Sequence, residues 1–147
     1  MKQDDKELLI QDLCARLPYK VCINDCGTPH RLVNIYWDGF KFVVNSSPFG
    51  TGHGRIGTPL FDGDICFIKP YLRPMSSMTR EELHECQEIL GTDVEIEAVL
   101  INIIDSSIKR FSYLELDALF KWLNKKMFDY RGLIEKGLAI SAEEFKP

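Results

Sequence analysis

The sequence lacks any apolar run long enough to cross a membrane. A spanning helix needs about 20 consecutive, mainly apolar residues, and no stretch of this chain approaches that length. Residues 1–5 also lack the apolar core of a secretory signal peptide. We therefore expect a protein that is neither secreted nor inserted in a membrane.

Cysteine is too scarce to form a disulfide scaffold. The chain has five cysteines, an odd number, and they lie among otherwise apolar patterns. Reduced thiols are the simplest interpretation, and they are typical of a cytoplasmic protein. With 147 residues, the chain can bury a core of its own without a disulfide or a metal ion.

Positive charge is also in short supply. The formal net charge is −4, and it is uneven: residues 1–78 hold 9 basic and 8 acidic side chains, whereas residues 79–147 hold 9 and 14. A nucleic-acid-binding domain usually presents a basic face, so this balance leaves room only for a local basic patch. Hydrophobic residues at 45% and charged residues at 27% are ordinary for a globular protein.

Three segments carry the signals of helices. The first is predicted to begin with Asp4 as its N-cap and to end before Pro18, which cannot continue a helix. Each of the other two begins with a capping box, a hydroxyl and a carboxylate that bind backbone N–H groups reciprocally. The two boxes are Thr79 with Glu82, and Ser112 with Glu115.

Short alternating runs before residue 70 predict an antiparallel sheet. Asp38-Gly39 between two such runs is a strong hairpin signal. A later run at 94–104 becomes apolar on both faces, as a central strand does. The predicted strands cover residues 19–24, 31–37, 40–44, 65–68 and 94–104.

These elements predict an α+β fold. It comprises an N-terminal helix, an antiparallel β-sheet or small SH3-like barrel, two further helices and a late central strand. We expect one domain over residues 1–147, with a β-rich part at about 18–69, a proline-stiffened connection at 70–78 and a mainly helical part at 79–140. Residues 141–147 are predicted to be a frayed tail.

A glycine-rich loop gives the first candidate site. Residues 52–57 match the spacing G-x-G-x-x-G, whose backbone N–H groups can hold a phosphate when a helix follows. Here Pro59 and a turn follow instead. A long exposed loop is therefore the favoured interpretation, and a phosphate-ligand binder or enzyme using residues 50–57 is the alternative.

Metal and nucleophile signals are weak. Cys22, Cys26 and His30 have a spacing that could supply three zinc ligands, but structural zinc takes four and no fourth is apparent nearby. Free thiols are the favoured interpretation. His30, His53 and His84 are scattered, and no serine or cysteine lies in a nucleophile motif. We predict no cofactor and no enzymatic activity.

Two segments are candidates for interaction. Tyr71, Arg73 and Met75 form a ridge of residue types that interfaces favour, although they could equally pin the connection onto the core. Tyr130 and Arg131 follow the last helix. Cations near that helix, interleaved with Trp122, could bind phosphates, but a helix C-terminus attracts cations by itself. They are Lys121, Lys125, Lys126 and Arg131.

Three sequence blocks resemble a known group of proteins. They are DLCARLPY at residues 12–19, IKPYLRPMSSMT at 68–79, and WLN at 122–124 with FDYRGLIEKGLA at 128–139. Together they resemble a family of uncharacterised proteins of gut Bacteroidales and their prophages and mobile elements. The resemblance implies an origin, and it brings no activity, cofactor or catalytic residue.

The leading hypothesis is a small, non-enzymatic accessory protein of a phage or mobile element that binds another protein or itself. Its predicted interaction residues lie in the central connection and in the segment after the last helix. A second hypothesis is nucleic-acid binding through exposed aromatic residues of the sheet, in which bases stack on the rings. The aromatic candidates are Tyr36, Trp37, Phe40 and Phe42.

Overall fold

The computed structural model describes residues 1–49, 56–62, 65–91 and 112–145. These residues form an α+β fold in which three α-helices accompany a mainly antiparallel sheet. The helices are α1 (Gln3–Arg16), α2 (Arg80–Leu90) and α3 (Tyr113–Lys125). The strands are β1 (Cys22–Asp25), β2 (Thr28–Trp37), β3 (Phe42–Pro48), β4 (Ile56–Pro59), β5 (Phe61–Asp62), β6 (Ile65–Cys66), β7 (Ile68–Leu72) and β8 (Ile140–Ser141).

Among the described residues, six strands form one open sheet in the order β4-β3-β2-β1-β7-β8, and β5 pairs with β6. All neighbours in the main sheet are antiparallel except β7 and β8. Of the two predicted alternatives, the antiparallel sheet is therefore confirmed and the SH3-like barrel is wrong. Closure needs a continuous ladder between the first and last strands, and here the two edge strands have only four and two residues.

The predicted hairpin at Asp38-Gly39 is confirmed. The Asp38 carboxylate accepts hydrogen bonds from the backbone N–H groups of Phe40 and Lys41, both at 2.8 Å, and Gly39 has φ +104°. A side chain that satisfies two loop N–H groups and a glycine in the left-handed region together stabilise the reversal. The loop joins β2 to β3.

A β-bulge at Val33 changes which residues of β2 face the core. Leu32 pairs with Ser46 and Asn34 with Asn45, so Val33 is an extra residue in the ladder. Beyond it, Ile35 pairs with Val44 and packs against the same core as Leu32. One inserted residue moves all later side chains to the other face, so Ile35 continues the buried side of the strand.

Both predicted capping boxes are confirmed. In α2, the Glu82 N–H donates to Thr79 Oγ1 at 3.2 Å and the Thr79 N–H donates to Glu82 Oε2 at 3.0 Å. Ser112 and Glu115 repeat this arrangement at α3. In α1 the predicted N-cap is wrong, because the helix starts at Gln3 and Asp4 lies inside the first turn, where the helix dipole favours a carboxylate.

Two boundaries before the connection differ from the prediction. A 3₁₀ turn over Leu17–Tyr19 ends at Lys20, whose φ is +57°, so β1 begins at Cys22 instead of Tyr19. At the other end of the β-rich part, Pro70 belongs to β7 and the connection starts only at Arg73. In the ladder, β8 pairs with Tyr71 and Leu72, whereas Pro70 pairs with β1 on its other side. Pro70 therefore lies at an edge position, which tolerates a residue without an N–H group.

The C-terminal prediction is wrong as far as residue 145. Residues 140–144 form β8 and a 3₁₀ turn, and the Phe145 ring lies 5.0 Å from that of Tyr71 and 5.8 Å from that of Phe49. An aromatic anchor of this kind offsets the entropy that frays chain ends. The predicted strand at 94–104 lies outside the described residues.

Three hydrophobic clusters hold these elements together. One lies between α1 and the sheet and includes Leu9 and Val44, a second joins α2 to α3 around Leu123, and a third surrounds Leu72 and Leu133. Within the described residues, no helix is both long and apolar enough to cross a membrane.

Leu123→Ala tests the core between α2 and α3. Leu123 is fully buried, and truncation of such a leucine costs about 2–5 kcal/mol because it removes apolar contacts and leaves a cavity. We expect the free energy of unfolding in urea to fall by about that amount. The control is Leu114→Ala on the same helix, where 77% of the side chain is exposed and we expect little change. Equal effects of the two substitutions would contradict the assigned core.

Candidate interaction groove

A groove of about 740 Å³ lies where the connection, α3 and the segment after α3 meet α1. Its walls are mainly apolar, with a guanidinium and two carboxylates at its polar positions. Pockets of this size and character are typical ligand and partner sites. The lining of the groove includes Leu8, Met75, Phe120, Tyr130, Arg131 and Ile134.

The floor of this region is a short parallel pairing between Arg73 and Phe128. The Arg73 N–H donates to the Met127 carbonyl at 2.7 Å, and the Asp129 N–H donates to the Arg73 carbonyl at 2.8 Å. Phe128 is fully buried, and its ring lies 4.3 Å below the Arg73 guanidinium. The connection is thereby fixed to the segment that follows α3.

Arg73 also binds α2 through two hydrogen bonds to one carboxylate. Its Nη1 and Nη2 donate to Glu82 Oε1 and Oε2 at 2.8 and 2.9 Å, and Nη2 also donates to the Ser77 carbonyl at 3.2 Å. Bidentate pairs of this kind are among the stronger charge-assisted contacts. The hydrogen bonds from Arg73 lower the pKa of Glu82 to about 2.

A buried ion pair holds α1 to the same floor. Arg16 Nε and Nη2 donate to the two carboxylate oxygens of Asp12 at 2.8 and 3.0 Å, and Nη2 also donates to the Phe128 carbonyl at 2.7 Å. Both side chains are fully buried. Arg16 Nη1 has no hydrogen-bond partner, so this pair is strongly desolvated and incompletely satisfied.

Tyr130 forms a wall of the groove between two arginines. The Arg16 and Arg131 guanidinium carbons lie 5.7 and 5.0 Å from the centre of its ring, which is within cation–π range. The Tyr130 hydroxyl donates to Asn124 Oδ1 at 3.1 Å, and burial raises the pKa of this hydroxyl. The tyrosine is therefore held in one orientation.

The Arg131 side chain is 24% exposed, so part of its guanidinium can donate to a partner. Its Nη1 lies 3.6 Å from Asp12 Oδ1, which is too far for a hydrogen bond. That nitrogen is buried and has no hydrogen-bond partner. Asp12 already accepts two hydrogen bonds from Arg16. The nearby Asp129 carboxylate is occupied by the N–H groups of Leu133 and Ile134, each at 2.8 Å.

The structure brings together Met75, Tyr130 and Arg131 of the predicted interaction residues, all of which line the groove. Arg73 lies beneath it. Tyr71 lies elsewhere, on β7, where its hydroxyl accepts a hydrogen bond from Asn24 Nδ2 at 3.0 Å and its ring contacts Phe145. The ridge of three residues is therefore divided, because β7 ends at Leu72 and Met75 lies in a 3₁₀ turn, so the two-residue period that would keep them on one face does not continue.

Sequence reasoning missed the buried pair, although a signal was present. Asp12 and Arg16 are four residues apart, and they share the face of α1 that carries Leu9 and Leu13. Opposite charges at this spacing interact on a helix, and their position within an apolar stripe indicated burial. Leu8, Phe120 and Ile134 carried no signal that distinguished a groove wall from core.

The zinc candidates do not meet. Cys22 lies opposite Arg31 in the ladder and His30 lies opposite Ile23, so the two project from opposite faces of the hairpin. Cys26 lies in the turn with φ +51°. Across the part of the chain that the structure describes, no three histidine, cysteine or acidic residues are grouped as metal ligands.

His30 instead belongs to a buried polar network around Asp25. Ser46 Oγ and Thr58 Oγ1 each donate to Asp25 Oδ2 at 2.9 Å, and His30 Nδ1 lies 2.7 Å from Ser46 Oγ. In a catalytic triad histidine lies between the acid and the nucleophile, whereas here serine does. Ser46 is also fully buried, so this network is suited to holding β1, β3 and β4 together.

The cysteine thiols are not activated as nucleophiles either. All five cysteines are free thiols, and burial is the largest cause of the raised pKa of each thiol. For Cys86 the value reaches about 12. A thiol with a raised pKa is a poor nucleophile near neutral pH. His84 is exposed and pairs with Glu88 at 3.4 Å.

Two of the four cations near the C-terminal end of α3 are paired with carboxylates. Lys121 Nζ lies 2.7 Å from Asp117, and Lys126 Nζ lies 3.5 Å from Glu85. Trp122 Nε1 donates to the same Glu85 carboxylate at 2.9 Å. These contacts reduce the local positive charge available to phosphates. Of the glycine-rich loop, residues 50–55 lie outside the described residues, and Gly57 belongs to β4.

Comparison with protein-family models, curated proteins and solved structures gives no match for this chain. The assignment of function therefore depends on the geometry of the groove and of the exposed surfaces. All three blocks that carry the sequence resemblance meet beneath the groove, through the contacts of Arg16, Arg73 and Phe128.

Glu82→Gln tests the coupling between the connection and α2. Because the pKa of Glu82 falls from an ordinary 4.5 to about 2, its ionised form stabilises the fold fully above pH 4.5, and this stabilisation is lost as the pH falls toward 2. We expect the substitution to reduce the free energy of unfolding at neutral pH by about 1–3 kcal/mol and to flatten its decline in that acidic range.

Urea titrations at several pH values measure this effect. The matched control is Glu81→Gln, an exposed carboxylate in the same first helical turn, which we expect to leave the acid profile unchanged. Identical profiles for the wild type and Glu82→Gln would contradict the assigned role of the pair.

Proposed function

We propose that this protein is a small, non-enzymatic protein-binding module. Its groove takes a partner segment that combines an apolar side chain with a carboxylate. The single observation that carries this proposal is the pairing of apolar walls with the Arg131 side chain, which lines the groove and is 24% exposed. An Asp or Glu of a partner would accept hydrogen bonds from the exposed part of this guanidinium.

The shape of the groove supports a polypeptide ligand. Met75 and Ile134 provide flexible apolar contacts, and Tyr130 provides a large rigid ring. Methionine, tyrosine and arginine are enriched where proteins bind one another. A ligand entering between these side chains would bury its apolar group against them and place its carboxylate at Arg131.

Preorganisation also supports binding. Arg16 and Arg73 fix the groove floor through hydrogen bonds to Phe128 and Glu82, and Asp129 accepts a hydrogen bond from the Leu133 N–H within the segment after α3. A site that is already ordered loses less conformational entropy when a partner binds. A second copy of this chain is the competing partner, and self-assembly is therefore part of the test.

The sequence blocks support a proposed origin in a phage or mobile element of gut Bacteroidales, because they resemble proteins found there. We also propose that the protein acts in the cytoplasm. Five free thiols suit a reducing compartment.

Arg131→Gln tests the groove. Peptides selected from a random displayed library on the purified protein are expected to share an apolar residue and an Asp or Glu. We expect the substitution to weaken binding of a selected synthetic peptide about 10-fold or more, because a hydrogen-bonded charge contact is lost. Fluorescence anisotropy of the labelled peptide measures the dissociation constant.

The control is Lys125→Gln, which removes one positive charge from an exposed position on α3 and should leave peptide binding unchanged. Light scattering after size exclusion accompanies the assay. A concentration-dependent dimer that Arg131→Gln dissociates, without peptide enrichment, would replace the partner protein by a second copy. A monomer that selects no peptide would refute the proposal.

A further inference from the structure

One face of α3 is open to solvent beside the groove. Tyr113, in the first turn of this helix, is 82% exposed. Residues seven positions apart lie within about 20° of each other around an α-helix, so Tyr113 is on the same side as Phe120, which lines the groove. Asp117 and Lys121 lie on this side as well, and Lys121 is exposed. We call these four residues the α3 face.

The two charges of the α3 face follow each other along the helix, the acid first and the base second. Lys121 Nζ lies 2.7 Å from an Asp117 carboxylate oxygen. A second α3 that lies antiparallel to the first presents these signs in the reverse order. Each carboxylate then lies next to the ammonium group of the other copy, and opposite charges attract. The α3 face is therefore complementary in charge to a second copy of itself.

The α3 face also combines a projecting ring with a recess. The recess is the part of the groove at Phe120, whose ring centre lies 5.2 Å from that of Tyr130. Phe120 lies about 10 Å along the helix from Tyr113, because each residue rises about 1.5 Å. A twofold axis near the centre of α3 and perpendicular to it therefore brings the Tyr113 ring of each copy to the groove of the other. Such an axis uses one self-complementary patch twice.

We propose that the α3 face forms a homodimer in which the partner subunit's Tyr113 occupies the groove. The inference rests on the proposed function, because the same groove takes the partner segment. Tyrosine is enriched at the centres of protein interfaces, and a third ring beside Phe120 and Tyr130 extends an existing aromatic contact. Dimer formation and binding of the partner segment then exclude each other, so the dimer covers the groove until a partner competes for it.

The length of α3 sets the expected strength of this dimer. The helix has 13 residues, so it is about 20 Å long. Two helices of this length touch over only a few turns, and their contact is smaller than the roughly 1,600 Å² of a standard interface. We therefore expect a weak dimer that depends on protein concentration, which a partner can displace.

Sedimentation of the full chain at several protein concentrations tests the proposal. We expect a monomer–dimer equilibrium. Tyr113→Ala should raise the dimer dissociation constant about 10-fold or more, because each copy loses the ring that fills the other's groove. Lys121→Glu is the second variant and should also weaken the dimer, since it places two carboxylates on each α3 face. Added salt should weaken the wild-type dimer, because salt screens exposed charges.

The matched control is Leu114→Ala. It removes an exposed apolar side chain next to Tyr113, but residue 114 lies about 100° farther around the helix and outside the α3 face. This variant should dimerise as the wild type does. Tyr113 and Lys121 are both exposed, so their replacement is not expected to disturb folding, and circular dichroism checks this.

A peptide selected on the groove separates this inference from the proposed function. Excess peptide should dissociate the wild-type dimer, and Tyr113→Ala should bind the peptide at least as tightly as the wild type, because its groove is not covered. A wild type that binds peptide but stays monomeric at high concentration would refute the dimer and leave the proposed function intact.

A dimer that survives Tyr113→Ala, or that excess peptide does not dissociate, would also overturn the inference, because its interface would lie away from the groove. A dimer that Tyr113→Ala dissociates, on a protein that selects no peptide, would support the α3 face as the interface. It would at the same time remove the separate partner segment from the proposed function.

Discussion

The structure depends on a buried charge that is satisfied only when distant parts of the chain meet. Arg16 is fully buried, and it donates to Asp12 within its own helix and to the carbonyl of Phe128. Isolated, a buried guanidinium would cost several kcal/mol of desolvation. This requirement fixes the position of α1 relative to the segment after α3 more narrowly than apolar contacts alone, which have no direction.

A second arginine extends the same arrangement to α2. Arg73 contacts Phe128 from the other side through its backbone and its guanidinium, and it binds Glu82 at the start of that helix. Phe128 thus lies between two cations that belong to different sequence blocks. The groove is the surface above this junction, so its geometry follows from electrostatic contacts beneath it.

Local sequence signals predicted much of the fold. Thr79, Ser112 and Asp38 each satisfy backbone N–H groups within a few residues, so their roles can be inferred without knowledge of the tertiary structure. The bulge at Val33 and the parallel strand β8 depend on partners far along the chain. No local pattern specifies such pairings. For that reason the sequence could not decide between an open sheet and a barrel, and residues 141–147 were predicted to fray, wrongly as far as residue 145.

The candidate site was predicted only in part, because its assembly also depends on contacts between distant parts of the chain. Met75, Tyr130 and Arg131 were identified by residue type, which reflects interface chemistry, but residue type alone could not show that Tyr71 faces Phe145 instead. The sequence also could not show which aromatic side chains of the hairpin are exposed, because their exposure depends on tertiary packing. Trp37 and Phe40 are exposed because they lie beyond the part of the sheet that α1 covers.

The contact between Arg16 and Phe128 also affects the order in which the chain can fold. Its two residues are separated by 112 positions, and contacts with such separation form slowly because a long loop must close first. During synthesis, α1 emerges long before its acceptor carbonyl exists. The first helix can therefore complete its contacts only after residue 128 has been made. Until then Arg16 lacks the Phe128 carbonyl, although the sheet that covers Leu9 and Leu13 comes earlier in the chain.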